Sequence, residues 1–202
     1  MTKIKLCGLS RLCDIEAANE LKPEYVGFVF FEKSKRNITP ELAKELKKAL
    51  NPEIYAVGVF VNENPQKIAK LLNDGIIDIA QLHGGEDDSY IAELRKLSDK
   101  PIIKAFKIKD ESDVYRAEKS TADYVMLDSG WGTGKAFDWN LINIKRPYFL
   151  AGGLSTENVN EAVSTLQPFA LDVSSGVETD GLKDKNKMRE FVCAVRGKEE
   201  TI

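Results

Sequence analysis

Short apolar runs alternate with charged, amphipathic segments along the whole chain. Eight of these runs are rich in β-branched and aromatic residues, and several are apolar almost throughout, as parallel strands buried on both faces are. Strands that alternate with helices in this way predict an α/β protein with a parallel sheet. The predicted strands are Ile4–Cys7, Tyr25–Phe30, Tyr55–Val61, Ile77–Leu82, Pro101–Phe106, Asp123–Leu127, Pro147–Ala151 and Phe169–Val173.

The segments between the runs carry signals that begin a helix. Thr39 and Asn64 each stand directly before a proline, an order that suits an N-cap followed by the first helical residue. Ser155 or Thr156 is expected to cap the helix after the seventh strand, and Asp184 is expected to cap the last helix.

Eight strand–helix units in 202 residues predict a (β/α)8 TIM barrel, with residues 1–202 forming a single domain. The segment Asp138–Lys145, between the sixth and seventh strands, is too short and irregular for a full helix, so the helical layer is expected to be incomplete there. An open doubly wound sheet would need only five or six strands. A leucine-rich solenoid would need a fixed leucine and asparagine pattern, which this chain lacks.

Composition narrows the classes of function. Lys and Arg number 29 against 32 Asp and Glu, a net charge of −3 without a long basic run, which argues against a nucleic-acid partner. No apolar stretch approaches the roughly 20 residues of a membrane span. Three cysteines and one histidine form no zinc pattern, and they favour a reducing cytoplasm.

Two stretches near the end of the chain place small residues directly after a predicted strand: Leu150-Ala-Gly-Gly-Leu154 and Leu171-Asp-Val-Ser-Ser-Gly176. Backbone N–H groups can crowd around an anion where side chains are small. In TIM barrels the loops after strands 7 and 8 often bind phosphate. The pattern therefore predicts a small phosphorylated substrate. The residues expected to hold its phosphate are Gly152, Gly153, Ser175 and Gly176.

Chemically capable residues lie at the carboxyl ends of the predicted strands, where barrel enzymes place their active sites. Cys7 ends the first strand, Arg36 follows the second, His83 follows the fourth and Asp128 follows the sixth. Each also has a structural interpretation, as a small buried side chain, a solvated cation or a hydrogen-bonded histidine. Asp128 comes after three apolar residues, so partial desolvation would suit it to acid catalysis. Lys104 in the fifth strand is a weaker candidate, as an amine nucleophile.

The motifs occur in a fixed order that covers almost the whole chain. They are Ile4-Lys-Leu-Cys-Gly-Leu9, Gly27–Phe30 with Ser34–Arg36, Gly58–Val61, Gln81-Leu-His-Gly84, Leu127-Asp128, Gly132-Thr-Gly134, Phe137–Trp139, Leu150–Leu154 and Asp172–Glu178. In this order they resemble the phosphoribosylanthranilate isomerase family of tryptophan biosynthesis. Leu6 stands where the family usually has isoleucine, and Trp131 stands where a further glycine is common.

The resemblance implies an Amadori rearrangement of N-(5-phosphoribosyl)anthranilate to 1-(2-carboxyphenylamino)-1-deoxyribulose 5-phosphate, without a cofactor. It implies that Asp128 is the acid that opens the sugar ring and that Cys7 is the base that removes the C2 proton. A thiol needs only modest help to act as a base near neutral pH. Arg36 would then bind the anthranilate carboxylate, and His83 would orient the site. A monomer or a homodimer is expected.

Three other functions are known for barrels of this kind, and the sequence fits each of them less well. A metal-dependent ribulose-phosphate epimerase would need more ligands than one histidine helps to provide. An indole-glycerol-phosphate synthase would need lysine and glutamate motifs that are not found here. A barrel that binds a phosphorylated metabolite without catalysis would not need both Cys7 and Asp128.

Overall fold

A computed structural model of the chain describes residues 1–129 and 138–197. Its eight main strands are all parallel and form a closed barrel, in which each strand pairs with the next and the eighth returns to the first. The predicted TIM barrel is therefore confirmed. The strands are β1 (Lys3–Cys7), β2 (Tyr25–Phe30), β3 (Tyr55–Phe60), β4 (Ile79–Leu82), β5 (Ile102–Lys107), β6 (Tyr124–Asp128), β7 (Tyr148–Ala151) and β8 (Ala170–Val173).

Helices cover the outside of the barrel. They are α1 (Leu12–Leu21), α2 (Pro40–Ala49), α3 (Pro65–Asn73), α4 (Asp88–Leu97), α5 (Glu111–Lys119), α6 (Val159–Glu161) and α7 (Lys185–Arg196). Three predicted N-caps are confirmed, because the side chains of Thr39, Asn64 and Asp184 each accept a hydrogen bond from a backbone N–H of the first helical turn. No described helix is long and apolar enough to cross a membrane.

The predicted start of the helix after β7 is wrong. Ser155 Oγ accepts a hydrogen bond from the Glu157 backbone N–H at 3.3 Å, as a cap would, but the residues that follow it form a turn. The helix α6 begins only at Val159 and continues as a π-helix over Ala162–Leu166. The cause is local: Asn158 accepts a hydrogen bond from the Ser155 backbone N–H (3.0 Å) and donates one to the Gly153 carbonyl (2.8 Å). These bonds hold the loop in a turn before the helix can begin.

Between β6 and β7 the described residues hold only a 3-10 turn, Trp139–Leu141, with Asp138 as its cap. This agrees with the expectation of an incomplete helical layer. The loop that contains Trp131, and the motif residues Gly132–Gly134 and Phe137, lie outside the described residues.

Strand ends agree with the predicted bounds to within two residues, and β2 agrees at both ends. Two of the differences have a clear cause. Ile77 was expected to begin β4, but its backbone N–H bonds back to the carbonyl of Leu71 at the end of α3, so the strand begins at Ile79. Asp128 extends β6 because it pairs with Lys107 of β5.

Side chains alternate along each strand between the helices outside and the barrel interior. Tyr25, Val57, Ile103, Met126 and Phe149 belong to one buried cluster inside the barrel. This apolar cluster fills the barrel interior beneath the carboxyl ends of the strands.

Candidate active site

A cavity of about 650 Å³ opens at the carboxyl ends of the barrel strands. Seven of the eight predicted site residues line it: Cys7, Arg36, His83, Asp128, Gly152, Gly153 and Ser175. Gly176 does not. A Cβ atom at Gly176 would collide with the carbonyl oxygen of Leu154, so this glycine allows the loops after β7 and β8 to approach each other.

Cys7 ends β1 and is 7% exposed. Its sulfur fits against Gly27 of β2, where a Cβ atom would lie 2.7 Å from Sγ. Burial raises the pKa of the Cys7 thiol, the nearby Asp172 raises it further, and the cations Lys5 and Lys183 oppose the rise without cancelling it. The resting thiol is therefore protonated at neutral pH.

Lys5 lies two residues before Cys7, on the same face of β1. It is completely buried, and its Nζ donates to Oδ1 of Asp172 on β8 at 2.9 Å. Burial alone would lower the pKa of Lys5, but the attraction of Asp172 and of Cys7 outweighs it and raises the pKa. Lys5 is therefore a permanent positive charge close to the Cys7 thiol.

Asp128 and His83 meet on the opposite wall of the cavity. His83 Nε2 lies 3.0 Å from Asp128 Oδ2, and His83 Nδ1 lies 2.8 Å from Nε2 of Gln81. A Cβ atom at Gly152 would stand 2.6 Å from Asp128 Oδ1. Gly152 also has φ +88°, so both its backbone conformation and the nearby carboxyl group require glycine there.

Arg36 reaches the cavity from the loop after β2 and forms a two-pronged ion pair with Glu178. Glu178 also accepts a bond from Lys183 Nζ at 2.7 Å. Burial by itself would raise the pKa of Glu178, but the hydrogen bonds from Arg36 and Lys183 lower it to about 2. The carboxylate therefore stays ionised over the physiological pH range.

Lys104 does not line the cavity. Its ammonium group bonds to Glu86 Oε2 (2.8 Å), to the Gly84 carbonyl (2.7 Å) and to the Leu82 carbonyl (3.3 Å). All three donors are occupied, so Lys104 supports the loop after β4 and is not a nucleophile.

Five polar residues for which the sequence predicted no role surround the site: Lys5, Gln81, Asp172, Glu178 and Lys183. Lys5, Gln81 and Asp172 are buried polar side chains, each with apolar neighbours on both sides in its strand. A polar side chain inside a buried strand is the signal that could have identified these three residues.

A TIM barrel with ionisable side chains and glycine-rich loops grouped at the carboxyl ends of its strands has the architecture of a barrel enzyme. Residues 4–194 match the profile of the family described as N-(5'phosphoribosyl)anthranilate (PRA) isomerase. The chain belongs to this family.

Individual relatives agree over nearly their full length. The N-(5'-phosphoribosyl)anthranilate isomerase of Endomicrobium trichonymphae is 45% identical over 202 residues, which cover 97% of this chain and 99% of the relative. A phosphoribosyl anthranilate isomerase solved in complex with reduced 1-(o-carboxyphenylamino)-1-deoxyribulose 5-phosphate has a TM-score of 0.86 at 36% identity, covering 98% of this chain and 100% of that one.

Monomers generated from the dimeric isomerase of Thermotoga maritima superpose with a TM-score of 0.87 at 37% identity, again over 98% of this chain and 100% of that one. The activity follows from family membership: the protein is an isomerase of tryptophan biosynthesis, and it converts the aldose N-(5-phosphoribosyl)anthranilate into the corresponding ketose.

Proposed function

We propose that Asp128 is the general acid and Cys7 the general base of this isomerisation. The observation that carries the proposal is that the two side chains stand on β6 and β1 and line one cavity. A sugar bound between them would present its ring oxygen to one residue and its C2 hydrogen to the other.

The chemistry needs these two functions in succession. Asp128 donates its proton to the furanose ring oxygen, the C1–O bond breaks, and the nitrogen lone pair forms an iminium. Cys7 thiolate then removes the C2 proton, and the electrons of that bond neutralise the iminium to give an enolamine, which tautomerises to the ketose. Burial raises the pKa of the thiol, and the cations Lys5 and Lys183 oppose that rise. The two cations therefore make the thiolate easier to form.

The phosphate is proposed to lie between the loops after β7 and β8, against Gly152, Gly153 and Ser175. Gly153 has φ +67°, and its carbonyl is held by Asn158, so the loop is shaped before a ligand arrives. The phosphorylated compound in the related crystal structure supports a phosphorylated substrate for this chain. Gly176 allows the two loops to approach each other, because it has no side chain to collide with the Leu154 carbonyl.

Arg36 is proposed to bind the anthranilate carboxylate, for which its planar guanidinium is well suited. Nε and Nη2 already bond to Glu178, so the remaining N–H groups would face the substrate. His83 is proposed to orient Asp128 through the bond between them.

The protein is proposed to work in the cytoplasm, because its base must remain a reduced thiol. Cys7, Cys13 and Cys193 are all free. Its oligomeric state is proposed to be a monomer or a homodimer, and the dimeric isomerase of Thermotoga maritima supports the second.

Steady-state turnover of the fluorescent substrate tests the two roles. We expect Cys7→Ala, Cys7→Ser and Asp128→Asn to lower kcat by about 10²–10⁴-fold each, with circular dichroism unchanged. Cys13→Ser and Asp99→Asn, at exposed positions, are the matched controls and should keep full activity. A near-normal kcat in Cys7→Ala or in Asp128→Asn would refute the role of that residue.

A further inference from the structure

Gln81 is a buried amide at the floor of the active site. It lies on β4, two residues before His83, and it is only 1% exposed. Its Nε2 lies 2.8 Å from His83 Nδ1 and donates to the sulfur of Met126 at 3.4 Å. Within the described residues its Oε1 has no hydrogen-bond partner. The Gln81 amide therefore contacts its neighbours through its N–H groups and not through its oxygen.

Met126 decides which end of the amide faces the imidazole. The amide nitrogen has two hydrogens, and it faces two acceptors, the imidazole Nδ1 and the thioether sulfur. With the amide reversed, the carbonyl oxygen would face a thioether, which has no hydrogen to donate. The observed orientation is therefore the one that the sulfur stabilises.

This orientation selects the tautomer of His83. An Nδ1 atom that accepts from Gln81 carries no hydrogen, so the neutral ring carries its hydrogen on Nε2. The Nε2–H group then donates to Asp128 Oδ2 at 3.0 Å. The three side chains form a directional chain of hydrogen bonds, from amide to imidazole to carboxyl group.

The same contact opposes a second hydrogen on the His83 ring. An imidazolium carries hydrogens on both ring nitrogens, and an Nδ1–H would meet the N–H of Gln81. An imidazolium beside Asp128 would stabilise its carboxylate form, which has no proton to donate.

We propose that Gln81 is a positioning residue that holds His83 in its Nε2–H tautomer, so that His83 donates to Asp128 and does not take the catalytic proton from it. The proposal rests on the acid role of Asp128 argued above. In the reaction Asp128 loses this proton to the ring oxygen, while His83 keeps its Nε2–H and steadies the carboxylate that remains.

The single histidine of the chain makes the decisive measurement unambiguous. In untagged protein labelled with 15N-histidine, the NMR spectrum at neutral pH should show a protonated Nε2 and an unprotonated Nδ1. In Gln81→Glu the new carboxylate can only accept, so we expect a protonated Nδ1. In Met126→Leu the amide loses its second acceptor, and a mixture of both tautomers is expected. Gln66→Glu, on the exposed face of α3, should leave the spectrum unchanged.

Steady-state kinetics of the same variants provide a second test. We expect Gln81→Glu to lower kcat at least about tenfold, as expected when an acid loses its proton to a neighbour, with KM changed much less. An Nδ1–H tautomer or an imidazolium in the wild-type spectrum at neutral pH would overturn the proposal, even if no Gln81 variant folds. Full kcat in Gln81→Glu with an altered tautomer would also overturn it. If Asp128→Asn kept its activity, the proposed acid would be wrong, whereas the tautomer would still be established by the spectrum.

Discussion

Arg36 and Glu178 are 142 residues apart in the sequence and form a two-pronged ion pair, with Nε–Oε1 at 2.5 Å and Nη2–Oε2 at 2.8 Å. Lys35 and Lys183 lie on the same carboxylate, so three cations share one anion. Gly8 makes room for this arrangement, because a Cβ atom there would collide with Arg36 Cδ. The three cations carry more positive charge than the Glu178 carboxylate neutralises. The remaining positive charge suits a doubly anionic substrate.

Replacement of Glu178 should change how stability depends on pH. Its pKa is lowered to about 2 in the folded protein, against about 4.3 in an unfolded chain. The ionised side chain therefore stabilises the fold above pH about 4.3, and this contribution is lost as the pH falls towards about 2. In Glu178→Gln the fall in the urea midpoint over this range should be smaller than in the wild type. Glu190→Gln, at an exposed position, should behave like the wild type, and equal acid sensitivity of Glu178→Gln would contradict the prediction.

Arg36→Met should weaken substrate binding more than it slows chemistry. A hydrogen bond to a charged group contributes about 1.5–3 kcal/mol, so KM should rise at least about tenfold while kcat changes little. Steady-state kinetics measure both. Lys44→Met, a cation on the exposed side of α2, is the control for loss of charge. A KM equal to that of the control would show that Arg36 does not bind the substrate.

Gly153→Leu should raise KM strongly, because its side chain would stand where the phosphate is proposed to approach the backbone. The same substitution at Gly75 is a matched control, since Gly75 has φ +69° and open space around it. Both variants therefore carry the backbone strain, but only one blocks the loop. Inhibition by inorganic phosphate should weaken in Gly153→Leu alone. Equal KM values in the two variants would mean that the phosphate binds elsewhere.

Lys5→Met should raise the pKa of the Cys7 thiol further, because it removes a cation that opposes the rise. Alkylation by iodoacetamide, followed against pH in a background without Cys13 and Cys193, should then begin at higher pH than in the parent. The variant also leaves Asp172 buried without its partner, at a cost of about 3–5 kcal/mol.

The double variant Lys5→Met, Asp172→Asn supplies a version that should retain its fold better. It removes both the cation and the anion, and because Asp172 raises the pKa of the thiol, the thiol should titrate at lower pH than in Lys5→Met. Identical alkylation profiles in the parent and in Lys5→Met would show that Lys5 does not act on the thiol.

The barrel and the positions of Cys7 and Asp128 could be predicted because the ends of strands can be recognised in the sequence. An apolar run that stops at a cysteine or an aspartate places that residue at the rim of a parallel barrel. The orientation of the Lys5 side chain could also be inferred from the sequence. Lys5 stands two residues before Cys7, and such residues lie on the same face of a strand.

Partners distant in the sequence could not be predicted in the same way. Nothing near Arg36 indicates that Glu178 will face it, because their meeting depends on the paths of two loops. The late start of α6 escaped for a related reason. The Asn158 side chain bonds to Gly153 and Ser155, and these bonds compete with the helix that Ser155 was expected to cap.

The ion pair between Lys5 and Asp172 joins β1 to β8, and the two residues are 167 positions apart in the sequence. During biosynthesis they are therefore made far apart in time. The ribosome delivers β1, with its thiol, long before β8 emerges. Until then Lys5 lacks its counter-ion and one side of β1 lacks its neighbour. In a nascent or truncated chain that stops before β8, the thiol therefore lacks Asp172, which raises its pKa in the folded protein, and the raised pKa of Cys7 is fully established only when β8 pairs with β1.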